Sequence, residues 1–418
     1  MNDERLATLK RPGAWFWLSI AVGALLRGAL VFGTEGTFDV SIKLHHGHQI
    51  NRVGLLGWYE MAEVFNHPPL MGAWFSGAVR IAEATGLPFA AVLRAPFALL
   101  DLATAGLVWL AFSGSAWRWA ACAGYWLNPL AVLFSAYHGN TDSAIAAFAL
   151  ASLIAVSRGH PTLAGAALGI GLWVKLPVLI AAPALLLGFG RSRDRVRFAV
   201  ATFLVGMVGF LPWLAQEPEL LIRRIAGYGG SPVETPAGAV VWGLSSALRF
   251  ADTPLASALA AANGLVCSVP ILLIAWWRRG DPGVRVVGVS VCGGFLAVYG
   301  LTSFWAWQYL AWCVPFLLFL DVRVAALLSI VLGAYVYGAY AFLTGSPLLV
   351  GHWDIAGHAV WPIGLVLLRD ASVLLCFGVA LAILATAGIS RARATATWAQ
   401  RGTPDSRRRC RSRRRRRC

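Results

Sequence analysis

Acidic side chains at the edge of an apolar run are the residues of this chain best suited to acid–base chemistry. Asp39 follows the first apolar run, 14–33, by a few positions, and Glu35 precedes it by four. A carboxylate at a membrane boundary often has a function, and an ionised one can accept a proton from a hydroxyl group. Asp39 is therefore the first candidate for a general base. Glu35 is the competing carboxylate, and a solvated loop aspartate is the alternative without a function.

Histidines provide a second set of polar groups in the same polar stretch, 34–67. His67, in the sequence NHPPL, could donate a hydrogen bond to a phosphate or a sugar, or cap the helix that the two prolines begin. His45, His46 and His48 could bind a metal, but side chains that face water explain this cluster better. We therefore expect His67 to contact substrate and the other three histidines to be incidental.

The sequence YHGNTDS at 137–143 is the next group of polar side chains between apolar runs. His138, Asn140 and Asp142 together are suited to binding sugar hydroxyl groups at a membrane boundary. The alternative is an ordinary helix start, because Asn, Thr and Ser favour helix N-termini and Asp142 would complement the helix dipole. Both interpretations place a helix after Asp142.

Lys175, in the sequence GLWVKLP, lies between two apolar runs and has no acidic neighbour in the sequence. It could reach the interface along its own aliphatic chain. The alternative is a negatively charged partner at membrane depth, for which a lipid phosphate is the natural candidate. Pro177 would break the helix beside it and leave backbone groups free near that phosphate.

An aromatic run at 304–312 surrounds Gln308 and Tyr309. Interfacial belts of Trp and Tyr account for most of this run. A buried amide needs a hydrogen-bond partner, however, so Gln308 and Tyr309 are candidates for substrate binding.

Two further stretches carry weaker signals. The loop 344–360 contains His352, Asp354 and His358, which could ligate a metal. No predicted helix fixes their spacing, however, so they are weak evidence for a metal site. A metal site in the loop 344–360 is therefore not favoured. The glycine-rich run 227–243 with Glu234 could be a mobile loop that covers a site.

Composition sets the fold class. Of the 418 residues, 58% are hydrophobic and 13% are charged, and the mean hydropathy is +0.67. Soluble domains carry roughly 25% charged residues, and the apolar runs are too long for barrel strands. The sequence therefore predicts an all-α polytopic membrane protein. The first run lacks a cleavage signal and is expected to be a retained anchor.

Charge and cysteine content exclude other classes. Ten arginines between Arg401 and Arg417 supply much of the net charge of +16, so this charge does not indicate nucleic-acid binding. The seven cysteines include no C-x-x-C pair, which argues against a zinc site or a disulfide framework. The expected surroundings of the chain are a lipid bilayer.

Hydropathy and basic loops predict about twelve spans with both termini in the cytoplasm. We expect one domain, 1–390, with a long first outer loop at 34–67, and a disordered basic cytoplasmic tail at 391–418. The segment 68–87 is expected to be re-entrant or interfacial, because a crossing there would invert every later basic loop. The predicted spans are 14–33, 94–112, 118–136, 140–157, 161–175, 176–190, 197–215, 254–277, 284–302, 307–320, 322–343 and 361–388.

The ordered set NHPPL, YHGNTDS, WVKLP and QYLAWCVPFL, behind an outer loop with an aspartate, resembles the GT-C superfamily of polyprenyl-phosphate-sugar-dependent glycosyltransferases. It is most similar to the GPI mannosyltransferase and dolichyl-phosphate-glucose glucosyltransferases and their bacterial relatives. The resemblance covers about residues 14–320. Glu35 and Asp39 are four apart, so the tandem or D-x-D carboxylates of some members are absent, which leaves open which acid is the base and whether a metal is used. Members with lipid-monophosphate donors are generally metal-independent, so the resemblance implies no metal and no other cofactor, and a divalent metal is not favoured.

This resemblance implies a GT-C-like helical bundle that takes a mannose-like hexose from a polyprenyl-phosphate carrier outside a bacterial plasma membrane. The acceptor would be a glycan, a glycolipid or a protein. The family's acidic base corresponds to Asp39, and Lys175 would hold the donor phosphate near Gln308 and Tyr309. Substrate contacts are expected from Glu35, His67, His138, Asn140 and Asp142.

Two other classes remain open at this point. A transporter or flippase of a lipid-linked sugar would also need intramembrane cations and aromatic contacts, but paired broken helices in two similar halves are not visible. An oligosaccharide polymerase or ligase would favour a long outer loop late in the chain. Here the long polar stretch comes first.

Overall fold

A computed structural model describes residues 12–227, 242–354 and 360–401, with side chains up to residue 388. Within these ranges every regular element is helical. The α-helices are α1 Ala14–Gly33, α2 Phe38–Met61, α3 Pro69–Thr85, α4 Phe89–Ala111, α5 Arg118–Trp126, α6 Pro129–Val132, α7 Asp142–Ser157, α8 Pro161–Val174, α9 Ala182–Gly188, α10 Ser192–Val208, α11 Leu211–Leu214, α12 Pro218–Leu221, α13 Leu244–Ala247, α14 Pro254–Ala261, α15 Asn263–Trp277, α16 Val284–Leu301, α17 Val314–Leu317, α18 Val322–Thr344 and α19 Ile363–Arg401. Two π-helices, Leu133–His138 and Ile222–Ala226, and two 3₁₀-helices, Leu176–Ala181 and Trp307–Cys313, join them.

Five helices of the described part are long and apolar enough to cross a membrane: α1, α4, α16, α18 and the apolar part of α19. The bent pair α14 and α15, which meet at 67°, would make a sixth. The all-helical membrane fold is thus confirmed, whereas the predicted count of about twelve spans is not. Several predicted spans correspond to shorter apolar helices, α7, α8 and the run Leu176–Gly188.

The stretch predicted as a long outer loop is mostly helical. Helix α2 kinks at Gly54, which has a φ of 78°, and α3 packs back against its first half. A Cβ on Gly47 would lie 2.6 Å from the Phe75 carbonyl oxygen, so this close approach requires glycine. Ser76 donates a 2.6 Å hydrogen bond to Asn51 across the pair. The two helices therefore form a hairpin, which holds Asp39 in a helix rather than in an irregular loop.

Helix α3 is not among the helices that qualify as candidate spans. That 68–87 is re-entrant or interfacial stays a prediction. Helix α19 continues to Arg401, so a disordered tail can begin only after that residue. Glu234, His358 and residues 402–418 lie outside the described residues.

Arg94 of α4 fastens the segment that leads into α2. Its guanidinium is fully buried and donates to the carbonyl oxygens of Val31 (2.9 Å), Thr34 (2.5 Å) and Tyr137 (3.2 Å). These carbonyls belong to the C-terminal ends of α1 and of the π-helix, where the helix dipole favours a cation. Arg94 therefore joins the two segments that carry Asp39 and His138.

Candidate active site

The candidate site forms where the start of α2 meets the turn that follows the π-helix. Thr37 precedes α2, and its hydroxyl donates a 2.8 Å hydrogen bond to the His138 carbonyl oxygen. Gly139, with a φ of 73°, turns the chain sharply, and a Cβ there would lie 2.7 Å from Val40. These contacts bring Asp39, in the first turn of α2, next to the side chains of the YHGNTDS sequence.

Asp39 uses one carboxylate oxygen for all of its hydrogen bonds. Oδ2 accepts from Asn140 Nδ2 at 2.8 Å, His138 Nε2 at 3.3 Å and Lys43 Nζ at 3.4 Å. Among the described residues Oδ1 receives no hydrogen bond, and 32% of the side chain is exposed. The carboxylate is thus held firmly through one oxygen and open through the other.

The charge state of Asp39 follows from its neighbours. Burial by itself would raise the pKa of this carboxyl. The Lys43 ammonium and the His138 hydrogen bond outweigh that effect and hold the pKa of Asp39 well below its usual range. Asp39 is therefore ionised at any physiological pH.

Lys43 also belongs to this cluster, although no sequence motif singles it out. Its side chain is 2% exposed, and Nζ donates to the Gly139 carbonyl oxygen at 2.8 Å as well as to Asp39. The spacing of four residues between Asp39 and Lys43 places both on one face of a helix. That signal was present in the sequence, but it is meaningful only once 38–61 is known to be helical.

His138 connects Asp39 to the Tyr340 hydroxyl, which contacts Nδ1 of the same ring. A carboxylate facing Nε2 favours a proton on that nitrogen, so Nδ1 is the acceptor and Tyr340 donates to it. Trp353 packs against Tyr340 with ring centroids 5.2 Å apart. Helix α18 and the loop after it therefore support the orientation of the imidazole.

Asp142 and Lys175 form a second ion pair in the same region. Lys175 Nζ donates to both carboxylate oxygens of Asp142, at 3.1 and 3.0 Å. Asp142 is completely buried and also accepts from the Trp312 ring nitrogen, whereas the Lys175 side chain is 16% exposed. Lys175 Nζ also lies 5.2 Å from the centre of the Tyr309 ring. Lys175 has no acidic neighbour in the sequence, but the fold supplies one.

Glu35, Gln308 and His67, the remaining predicted site residues, lie in three different environments. Glu35 is exposed and pairs with His352, away from the hydrogen bonds of Asp39. Gln308 is half-buried next to Tyr309, without a hydrogen bond to the described part of the chain. His67 is half-buried, and its Nδ1 is buried without a hydrogen-bond partner in the described ranges.

Within the described residues, the other histidines of α2 make no hydrogen bond to Asp39. His46 accepts a 3.1 Å hydrogen bond from Trp58, and burial lowers its pKa to about 4. His48 lies 3.9 Å from Glu83 on the exposed side of the hairpin. Within the described residues there is no group of three or more His, Cys, Asp or Glu side chains arranged for a metal.

Comparison with known families decides the class of protein. The model of glycosyltransferase family 87 matches residues 85–303, which is just over half of the chain. The chain belongs to glycosyltransferase family 87. This is a family of GT-C type, so the resemblance drawn from the ordered motifs is confirmed and the chain is a transferase. A search of curated proteins finds no match.

The region matched to family 87 contains Arg94, His138, Asn140, Asp142 and Lys175. It does not extend to the start of α2 or to the 3₁₀-helix that contains Tyr309. The family membership accounts for a membrane glycosyltransferase with a lipid-linked donor and an acceptor. The role of each side chain has to be argued from the geometry.

Proposed function

We propose that this family 87 enzyme transfers a mannose-like hexose from a polyprenyl phosphate to an acceptor at the outer face of a bacterial plasma membrane. Asp39 acts as the base and the anomeric configuration is inverted. The single observation that carries this proposal is the asymmetry of Asp39, with Oδ2 held by three donors and Oδ1 open. The acceptor is a hydroxyl of a glycan, a glycolipid or a protein.

The proposed reaction is one displacement. The acceptor oxygen bonds to the anomeric carbon while the bond from that carbon to the phosphate oxygen breaks, and its electron pair leaves with the phosphate. The acceptor proton passes to Asp39 Oδ1. Asp39 is a weak base, so the proton moves late in the reaction. By then the acceptor oxygen has begun to bond to the anomeric carbon, and the pKa of the acceptor hydroxyl has fallen.

Inversion is supported by the arrangement of the carboxylates. A retaining reaction by double displacement needs a second carboxylate as nucleophile. Asp142 is the other carboxylate of the cluster, but it is completely buried and both of its oxygens accept from Lys175. Asp39 alone is free to react, so a single displacement fits better.

Lys175 is the proposed contact for the donor phosphate. An ammonium group has three N–H donors, and two of them are directed at Asp142. The third is available to a phosphate oxygen, where a cation stabilises the charge that develops on the leaving group. The Tyr309 ring lies next to this ammonium, and Gln308 precedes Tyr309 in the same 3₁₀-helix.

The proposed substrate contacts around Asp39 are polar side chains on neighbouring segments. Asn140 and His138 already donate to Asp39, so they orient the base and line the space beside it. His67 offers an unused Nδ1 to a sugar hydroxyl or phosphate. Glu35, exposed at the membrane edge, is the proposed contact for the more distant part of the acceptor.

The orientation in the membrane is part of the proposal. Basic residues flank the ends of helices opposite to Asp39, including Arg118, Arg158 and Arg278, as expected for the cytoplasmic side. Both termini would then be cytoplasmic. Labelling of single cysteines introduced at 35 and 158, from outside intact cells, tests this orientation: only position 35 should react.

The test of the proposed function is transfer in reconstituted vesicles, with a panel of radiolabelled polyprenyl-phosphate sugars and a membrane extract as acceptor source. The wild-type chain should use one donor, and Asp39→Asn should lower this transfer by about 10³-fold because the base is lost. Glu60→Gln, an exposed carboxylate on the same helix, is the matched control and should retain transfer.

Two results would contradict the proposal. Transfer by Asp39→Asn at the wild-type rate would remove Asp39 as base. A product whose anomeric configuration equals that of the donor, read by nuclear magnetic resonance, would replace the single displacement with a double one.

A further inference from the structure

Lys43 is the charged group most tightly coupled to Asp39, and its position is unusual. A lysine is rarely buried unless it is paired, and this side chain is 2% exposed. Its ammonium lies between Asp39 Oδ2 and the Gly139 carbonyl oxygen, 3.4 and 2.8 Å away. It therefore joins the base to the turn that carries His138 and Asn140.

We infer that Lys43 is a positioning residue for the proposed transfer: it keeps Asp39 ionised, fixes Oδ2 and leaves Oδ1 to the acceptor. This inference rests on the proposed role of Asp39 as base. It goes further by assigning a residue that family membership and sequence motifs do not identify.

Charge balance limits what Lys43 does in the reaction. Before transfer, Lys43 and Lys175 balance Asp39 and Asp142, and the donor phosphodiester carries one negative charge. After transfer Asp39 is protonated and the leaving phosphate monoester carries one more negative charge. Because the Lys43 ammonium attracts the ionised carboxylate, it opposes protonation of Asp39, so the proton moves late in the reaction. Lys43 therefore acts by keeping the base ionised and in place.

The other groups around Asp39 do not replace the positive charge of Lys43. Lys175 is already paired with Asp142, and Asn140 carries no charge. Burial lowers the pKa of His46 to about 4 and that of His67 below its usual value, so both are neutral. The titratable and charged groups in electrostatic contact with the Asp39 cluster are Lys43, His46, His67, His138, Asp142, Lys175 and Tyr340.

The sign of the pH effect follows from these contacts. Without the Lys43 charge, the largest influence that lowers the pKa of Asp39 is gone while burial still raises it, so the pKa of Asp39 rises. A protonated Asp39 cannot accept the acceptor proton. Activity should then be lost as the pH falls, in a range where the wild-type enzyme still has its ionised base.

The experiment compares four variants of the full-length reconstituted enzyme in kcat and KM between about pH 5 and pH 8. Lys43→Gln keeps a donor for the Gly139 carbonyl but removes the charge, Lys43→Met removes both, and Lys43→Arg keeps the charge. Arg80→Met, which removes an exposed cation from the hairpin, is the matched control. Elution as a monodisperse species in detergent verifies folding of each variant.

The wild-type enzyme, Lys43→Arg and Arg80→Met should change by less than about twofold across this pH range. Lys43→Gln and Lys43→Met should lose more activity than the wild-type enzyme on going from pH 8 to pH 5, because loss of the Lys43 charge raises the pKa of Asp39 and each unit below a pKa costs about tenfold. The loss should be in kcat, with the KM of the donor changed by less than about threefold.

A decrease by the same factor at every pH in Lys43→Gln and Lys43→Met would show that Lys43 only stabilises the turn, and the inference would be overturned. Failure of Lys43→Met to fold leaves Lys43→Gln to decide. Persistent transfer by Asp39→Asn would instead overturn the proposed function, whatever the Lys43 variants do.

Discussion

Two ion pairs of this chain, Arg27 with Asp101 and Lys43 with Asp39, differ in the exposure and the hydrogen bonding of the carboxylate. Inside the bundle, Arg27 of α1 donates to Asp101 Oδ2 at 3.1 and 2.7 Å and to the Trp126 carbonyl oxygen at 2.8 Å. Tyr125 donates to the other oxygen, Oδ1, at 2.8 Å. Both Asp101 oxygens therefore have partners, whereas Asp39 has an oxygen without one among the described residues.

This difference separates a structural ion pair from a reactive one. The Asp101 pair is almost completely buried, with side chains 4% and 1% exposed, and the Arg27 guanidinium lies 3.9 Å from the Trp126 ring. It has no capacity left for a ligand, so its role is to fix α1 against α4. Asp39 is equally restrained through Oδ2, but it retains acceptor capacity on an exposed side. A buried carboxylate is thus a functional candidate when its hydrogen bonding is incomplete.

The largest expected effect separates activity from stability at Asp39. Asp39→Asn keeps the size of the side chain and should lower transfer per folded protein by about 10³-fold, although the loss of the counter-ion of the buried Lys43 also lowers thermal stability. Unfolding is followed by tryptophan fluorescence in detergent. Transfer by folded Asp39→Asn at the wild-type turnover would place Asp39 in the same class as Asp101.

The second prediction concerns Asp101, whose replacement should lower stability and leave the turnover of the folded protein unchanged. Asp101→Ala leaves the Arg27 guanidinium buried without a counter-ion, so the free energy of unfolding should fall by about 3–5 kcal/mol. Denaturant unfolding in detergent measures this loss. The fraction that remains folded should transfer sugar at close to the wild-type turnover. A specific loss of turnover in folded protein would contradict the separation of the two clusters.

Lys175 should give a smaller effect that is specific to the donor. Lys175→Met removes the proposed phosphate contact and should raise the KM for the polyprenyl-phosphate sugar by about 10- to 100-fold, in line with the loss of a charge-assisted hydrogen bond. Steady-state kinetics with varied donor measures it. Lys175→Met with Asp142→Asn distinguishes a buried unpaired carboxylate from a lost phosphate contact: donor affinity should not recover in the double variant.

Tyr340 should have a modest effect through His138. Tyr340→Phe removes the hydroxyl that donates to Nδ1, so the imidazole is less well oriented towards Asp39. Loss of one such hydrogen bond corresponds to about 0.5–1.5 kcal/mol, and kcat should fall by about 3- to 10-fold. Wild-type activity in this variant would mean that packing alone orients the ring.

The smallest effect is expected at the exposed pair of Glu35 and His352, whose side chains are 61% and 82% exposed. Exposed ion pairs contribute little to stability. His352→Gln should therefore change transfer by less than about twofold, whereas Glu35→Gln tests the proposed contact with the distant part of the acceptor. A loss as large as that of Asp39→Asn would make Glu35 the base and reverse the assignment.

Local sequence predicted one part of the candidate site well. His138, Asn140 and Asp142 lie within a few residues, and the structure brings the first two to Asp39 and the third to Lys175. Their proximity in the chain made this possible. Gln308 shows that proximity in the sequence is not always enough. Tyr309 contacts Lys175, but within the described residues no contact joins the neighbouring Gln308 to Lys175.

The stretch 34–67 shows why other features were missed. Its polar residues do not follow an apolar period and therefore predict a loop, but most of the stretch forms α2, with a kink at Gly54. Packing against α3 stabilises this helix, and the sequence of α2 alone does not contain that contact. The relationship of Lys43 to Asp39 depends on this helix. The predicted count of about twelve spans is not confirmed for a related reason, since short apolar runs do not reveal whether they cross the membrane, bend or pack inside the bundle.

The sequence by itself determined that this chain is an all-helical membrane protein of a GT-C type glycosyltransferase family. It did so because apolar content, run length and motif order are properties of the chain. Only the tertiary structure decided which charges meet: Asp39 with Lys43 and His138, and Asp142 with Lys175 across 33 positions. Ion pairs form wherever burial and packing bring opposite charges together, and that depends on contacts between segments that no local pattern encodes.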